Sequence, residues 1–277
     1  MPPYTSRPMG VLDDILAVKQ AELALVQESE ARDTLRRAAL HAPPARDFAG
    51  GLRRGDGHLA VIAEIKRRSP SKGDLAPNLD PAVSAKTYES GGAAALSVLT
   101  DRAFFGGSVD DLQRAGAVVE LPVLRKDFTI DETQVYETRA IGADAVLLIV
   151  AALPDDGLLA ALRALADEIG LSVLVEAHDA AELDRALAAG ATLVGVNARD
   201  LGNFDEDLGV SERLAGRIPT SVTAVAESAI RTPDDAGRMA DAGYDAVLVG
   251  EALVRSEDPA GLVRAMSQHY VQPRGEQ

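Results

Sequence analysis

Residues 141–149 read IGADAVLLI, and three other stretches share the pattern: GGAAALSVL at 91–99, AGATLVGVN at 189–197 and AGYDAVLVG at 242–250. In each, a glycine (Gly92, Gly142, Gly190, Gly243) follows what reads as a helix end and precedes a short apolar run. Glycine lets the chain leave a helix through a left-handed residue, and an unbroken run of Ala, Val and Leu reads as a strand buried on both faces. The four glycines recur roughly every 50 residues, a period that signals internal repetition.

That period is too long for one βα unit, which needs about 30 residues. A second set of strands fits between the first: LAVIAEIK from Leu59, LPVLRKDF from Leu121, LSVLVEAH from Leu171 and SVTAVAES from Ser221. Helical patterns such as 179–189 and 233–242 separate the strands. Helix-start residues recur where they should, at Asp80-Pro81, Asp131, Pro154-Asp155, Thr232-Pro233 and Asp258-Pro259. Eight alternating units predict an α/β fold, a closed (β/α)8 (TIM) barrel over residues 59–270. An open doubly wound sheet is the runner-up, disfavoured because no Gly-x-Gly-x-x-Gly turn follows any strand. Residues 1–58 fall outside the repeat. Apolar residues at 12, 15, 16, 23 and 26 predict a helix over Val11–Val26. We therefore expect an N-terminal helical extension covering one end of the barrel.

The 277 residues suit one barrel and bury a sizeable core. A formal charge of −15, from 28 Lys+Arg and 43 Asp+Glu, argues against nucleic-acid binding but leaves room for an anionic small molecule at a locally basic mouth. With no cysteine, disulfides and thiolate chemistry are excluded. The longest apolar run, 145–153, is about half a membrane span, and the first residues carry no leader-like apolar segment, so a cytoplasmic protein without a membrane partner is expected.

In a barrel, chemistry belongs at the C-terminal strand ends. Those ends carry Glu64 and Lys66, Lys126 with Asp127 and Phe128, Glu176, Asn197 with Arg199-Asp200 beyond, Glu227-Ser228, and Gly250-Glu251. Two-residue alternation points Glu64 and Lys66 the same way. Any one of these could be structural: a lone Lys–Glu pair can satisfy itself, KRRSPSK alone reads as a solvated loop, and Asn197 alone can cap a turn. Together they are hard to explain as packing, because each buried charge costs several kcal/mol unless paired. Lysines and carboxylates in one mouth suit general acid–base chemistry on a carbonyl or enamine. Backbone N–H groups after Ser228 and Gly250 suit a phosphate site, as is common after barrel strands 7 and 8. No His or carboxylate spacing suggests a metal.

The segments IAEIKRRSPSKG, LPVLRKDF, GADAVLLIV, GVNARDL, AESAI and VGEALV resemble, in order and spacing, the signature segments of the indole-3-glycerol-phosphate synthase family, over about residues 11–266. The resemblance implies a carbon–carbon lyase of tryptophan biosynthesis. It would close an indole ring on 1-(2-carboxyphenylamino)-1-deoxyribulose 5-phosphate, with loss of CO2 and water and with no cofactor or metal. It implies that Lys126 is the general acid of ring closure, that Glu64 and Lys66 serve the later dehydration, and that Glu176 and Asn197 orient substrate and stabilise a cationic intermediate. Ser228 matches the serine at strand 7. Phe105, Phe128, Leu147 and Leu248 match the positions around the anthranilate ring, and Arg199 an arginine near its carboxylate. Phosphate contacts are implied at Lys66, Ser69, Ser228, Ala229, Gly250 and Glu251, with Ser69 also at the substrate. Other enzymes of the tryptophan pathway are the candidate macromolecular partners.

Three residues depart from the family pattern: Ala229 stands where glycine is usual, Glu251 where many members have serine, and Gly106 where a larger polar residue is common. An alanine needing positive φ at 229 would cost roughly 1–2 kcal/mol. The alternative readings are a sibling isomerase, disfavoured because that family uses a cysteine, and a non-catalytic paralogue that holds the phosphorylated ligand without turnover.

Overall fold

The computed structural model describes residues 10–26, 29–53, 55–199 and 205–274. Eight parallel strands close into a barrel: β1 (Ala60–Ile65), β2 (Ala95–Leu99), β3 (Val123–Lys126), β4 (Ala145–Ile149), β5 (Ser172–Ala177), β6 (Leu193–Asn197), β7 (Thr223–Glu227) and β8 (Ala246–Val249). Each pairs with its neighbours in sequence, and β8 closes on β1. The expected barrel is therefore the observed fold. The four repeated glycines adopt φ of 90°, 88°, 82° and 92° in chain order, the turn from helix into strand.

The helices begin where polar side chains can cap free N–H groups. Asp80, Asp131, Asp155, Thr232 and Asp258 each accept a backbone N–H of the first turn of α4 (Pro81–Ser90), α6 (Glu132–Ala140), α7 (Asp156–Glu168), α10 (Pro233–Asp241) and α12 (Pro259–Met266). Asp179 does the same for α8 (Ala180–Ala188). Such caps stabilise each helix by about 1 kcal/mol. Between helices and sheet lies one apolar shell, including Val61, Leu96, Val98, Leu148 and Val175; inside the barrel lies a second, including Ile62, Leu124, Leu147, Leu174 and Leu248. Among the described residues no helix is long and apolar enough to cross a membrane.

The N-terminal extension covers both ends of the barrel rather than one. Helix α3 (Phe48–Leu52) drives the fully buried Phe48 and Leu52 into the interior from the N-terminal side. Helix α1 (Val11–Val26) lies across the C-terminal side, with Val11, Leu12 and Ile15 at the mouth. Its inner face continues not as an apolar stripe but with Lys19, which is 3% exposed. Helix α2 (Ser29–His41) falls within the expected helical extension and packs on α6; its sequence, SEARDTLRRAALH, is polar overall but carries Ala31, Leu35 and the buried Ala39 at helical spacing.

Candidate active site

The C-terminal ends of the strands open into a cavity of about 120 Å³. Its wall includes Glu64, Lys66, Phe105, Lys126, Phe128, Leu147, Glu176, Asn197, Arg199, Ser228, Ala229, Leu248, Gly250 and Glu251. The fold thus brings together every residue expected at the site but one. Ser69 is buried beside the cavity, its Oγ accepting the Lys72 N–H at 3.2 Å, and does not line the wall. Asp200 lies outside the described residues.

Two ion-pair clusters face the cavity. In the first, Lys66 Nζ is 2.6 Å from Glu64 Oε1. Burial disfavours the Glu64 charge, but Lys66 and Lys126 outweigh it and hold its pKa below the ordinary value. In the second, Lys126 Nζ sits between Glu176 Oε2 at 2.6 Å and Glu227 Oε2 at 2.7 Å. Burial works against the Lys126 charge, yet the two carboxylates push its pKa upward, so the ammonium persists.

The two glutamates beside Lys126 are not equivalent. Glu176 Oε1 accepts the Asn197 side-chain N–H at 2.9 Å and lies 3.4 Å from His178 Nε2. His178 Nδ1 in turn lies 2.9 Å from Glu182. Burial pulls the imidazole down, but the two carboxylates raise it to about 10. Burial likewise opposes the Glu176 charge, while Lys126 and His178 hold it well below the usual carboxylate range. Glu227 lacks such support. Its burial and the neighbouring Glu176 push it up to about 7, despite Lys126.

Two missing side chains make room for this arrangement. A Cβ on Gly195, in the middle of β6, would stand 2.0 Å from Glu227 Oε1. One on Gly250 would stand 2.4 Å from Glu64 Oε1. Glu227 was visible at the end of strand 7 but was not assigned to the site. The signal that points to it is the isolated glycine in LVGVN, since a strand-interior glycine marks a close approach.

An apolar wall faces the charged clusters. The Phe105 and Phe128 ring centroids are 6.2 Å apart, with Leu147 and Leu248 also on the wall. At the opposite rim, Glu206 binds two guanidinium groups: Arg199 Nε at 3.0 Å and Arg231 at 2.5 Å. Asn197 Oδ1 accepts the Arg199 backbone N–H at 3.1 Å, so one amide orients both Glu176 and the Arg199 loop. Glu206 and Arg231 carried no motif in the sequence; only the folding of two loops over one rim joins them.

Beyond β7 the backbone turns through two successive left-handed residues, Ser228 at φ 64° and Ala229 at φ 59°. Neither is glycine, so the turn is strained. Glu251, at the start of α11 (Glu251–Arg255), directs its carboxylate to Arg255 at 3.0 Å. Among the described residues, no group of three His, Asp or Glu side chains converges on a point where a metal ion could be held.

The family profile described as Indole-3-glycerol phosphate synthase matches residues 12–266. The chain is 49% identical over 255 residues to the indole-3-glycerol phosphate synthase of Streptomyces griseus, covering 92% of this chain and 94% of that protein. It is 51% identical over 262 residues to that of a Nocardioides species, covering 94% and 98%. Among solved structures, the thiamine phosphate pyrophosphorylase of Pyrococcus furiosus superposes with a TM-score of 0.57 at 18% identity, over 75% of this chain and 93% of that one, which is a likeness of fold alone.

Proposed function

This chain belongs to the indole-3-glycerol phosphate synthase family, and from that membership we infer how its own residues divide the reaction. The protein is a carbon–carbon lyase of tryptophan biosynthesis. It converts 1-(2-carboxyphenylamino)-1-deoxyribulose 5-phosphate into indole-3-glycerol phosphate, CO2 and water.

The observation that carries the residue assignment is Lys126, an ammonium held by two carboxylates beside an aromatic wall. The anthranilate ring rests among Phe105, Phe128, Leu147 and Leu248, with its carboxylate toward Arg199. The phosphate lies near Ser228, Ala229, Gly250, Glu251 and Lys66, taking backbone N–H groups at Glu251 because that side chain is engaged by Arg255.

Ring closure joins the carboxylate-bearing ring carbon to the ketone carbon. The ketone oxygen gathers negative charge as it becomes a hydroxyl, and Lys126 supplies both the compensating charge and the proton. The C–CO2 bond then breaks and its electron pair restores the ring. Loss of the hydroxyl as water needs a donor, Lys66, and loss of the adjacent methylene proton needs an acceptor, Glu64, held ionised by its lysine neighbours. The cation formed between these steps is faced by Glu176, which Asn197 and His178 orient and keep charged. Glu227, with a pKa near 7, returns a proton to Lys126 between turnovers.

The phosphorylated substrate is the partner this site suits, and we place the protein in the cytoplasm, where charged phosphate esters are retained. The test is direct. The chain has no tryptophan, so the indole fluorescence of the product can be followed with no indole emission from the protein itself. Purified protein that binds the substrate but generates neither indole fluorescence nor CO2 would refute the catalytic reading.

A further inference from the structure

We propose that Lys19 is a positioning residue that latches helix α1 over the mouth and holds the aromatic wall and the acid in register. The inference rests on the reading above that Phe105, Lys126 and Phe128 face the substrate. Lys19 stands four residues beyond Ile15, one helical turn from the cavity wall. Its Nζ lies 2.9 Å from Asp101, 2.9 Å from Asp127 and 3.0 Å from Glu22.

Each barrel partner controls a different part of the site. Asp101, fully buried just past β2, accepts the backbone N–H groups of Phe104 at 2.7 Å and Phe105 at 3.1 Å. It therefore sets the turn that carries the Phe105 ring to the cavity. Asp127 lies between Lys126 and Phe128 in the chain, and its Oδ1 accepts the Phe128 N–H at 2.8 Å. Its Oδ2 accepts the Thr100 hydroxyl at 2.5 Å, and the Arg125 guanidinium lies 3.4 Å away. One ammonium thus ties three segments: the helix bearing Val11, Leu12 and Ile15, the loop bearing Phe105, and the strand end bearing Lys126 and Phe128.

Neither aspartate is needed to neutralise Lys126, which has Glu176 and Glu227. A surface ion pair would leave the lysine exposed; here Lys19 and both aspartates are buried and only Glu22 reaches solvent, so removing the lysine leaves two buried carboxylates without their shared cation. Burial opposes the Lys19 charge, but Asp127 and Asp101 keep it ionised across the working pH range.

The test is Lys19→Met, which keeps the stem and removes the charge, assayed with the carboxyphenylamino-deoxyribulose phosphate well below the variant's unfolding temperature. The expected result is a fall in kcat/KM of about 10²-fold, the scale of loss for a displacement of about 1 Å at a reacting site. KM should rise through the displaced wall and kcat fall through the displaced acid. Hydrogen exchange should quicken in 11–26 and in 101–105. Should Lys19→Met not fold, Asp101→Asn retains an oxygen for the two backbone N–H groups while weakening the latch, and it should move both constants in the same direction. Unchanged kcat and KM in either folded variant, with only a lower unfolding temperature, would make Lys19 merely structural and overturn the proposal. The underlying reading fails differently: Lys126→Met would then turn over normally.

Discussion

Glu227 Oε2 lies 2.7 Å from Lys126 Nζ, while its other oxygen, Oε1, meets no hydrogen-bond partner among the described residues. Glu176, on the other side of the same ammonium, is satisfied at both oxygens. Two carboxylates with pKa values driven apart around one lysine separate a permanent counter-ion from a group able to exchange protons near neutrality.

Replacing Glu227 by Gln should change the pH dependence of stability. A carboxyl raised from 4.5 to about 7 binds its proton more tightly when folded, so its stabilisation is full below pH 4.5 and is lost as pH rises toward 7. His178 loses its charge in the unfolded chain as pH approaches 6.5, but it does so in parent and variant alike, so the difference between their two profiles from pH 4.5 to 6.5 isolates Glu227. The parent should lose about 2–3 kcal/mol across it from this group, and Glu227→Gln should flatten that slope. Urea midpoints at several pH values measure it; parallel profiles would rule out the elevated pKa.

Lys126→Met should lower kcat by roughly 10²–10⁴ while weakening substrate binding far less. The two carboxylates left behind must then share a proton. With the lowering influence of Lys126 gone, Glu227 should hold its proton to higher pH than in the parent, and the variant should lose stability as pH rises and Glu227 ionises beside Glu176. Kinetics and unfolding curves on either side of pH 7 test both halves. Normal turnover in a destabilised variant would mean that Lys126 only holds the mouth together.

Ala229→Gly should relieve the left-handed alanine, φ 59°, and stabilise the protein by about 1 kcal/mol, or about 2–4 °C in Tm. If the strain also opposes the turn's grip on phosphate, KM falls with kcat unchanged. A calorimetric Tm no higher than the parent's would remove the strain argument.

Arg274→Ala should act at the other end. This buried guanidinium donates to the carbonyls of Gly243 and Val222, each at 2.7 Å, and pairs with Asp245 at 3.0 Å, all before the strands β8 and β7 begin. Leaving Asp245 unpaired should cost about 3 kcal/mol, while kcat and KM measured in the folded protein stay as in the parent, because the cavity lies at the far ends of those strands. A change in kcat without a change in Tm would contradict this division.

Some of this was legible in the chain itself. Alternating buried strands and capped helices, with glycine at each helix exit, allow few arrangements other than a closed barrel, because eight two-sided apolar strands need covering on both faces. Alternation along a strand also places Glu64, Lys126, Glu176 and Asn197 at one end, since position along a strand is a local property. The tertiary structure decided what local patterns cannot carry. It separated Glu176 from Glu227, because their difference depends on His178, Asn197 and the empty space at Gly195. It folded Glu206 against Arg199 and Arg231, put Ser228 and Ala229 into left-handed turns, and kept Ser69 off the wall. It also sank Lys19 between two aspartates far away in sequence. A charge on a helix reads as solvent-facing until its partners are known, and those partners meet it only when the barrel closes beneath it.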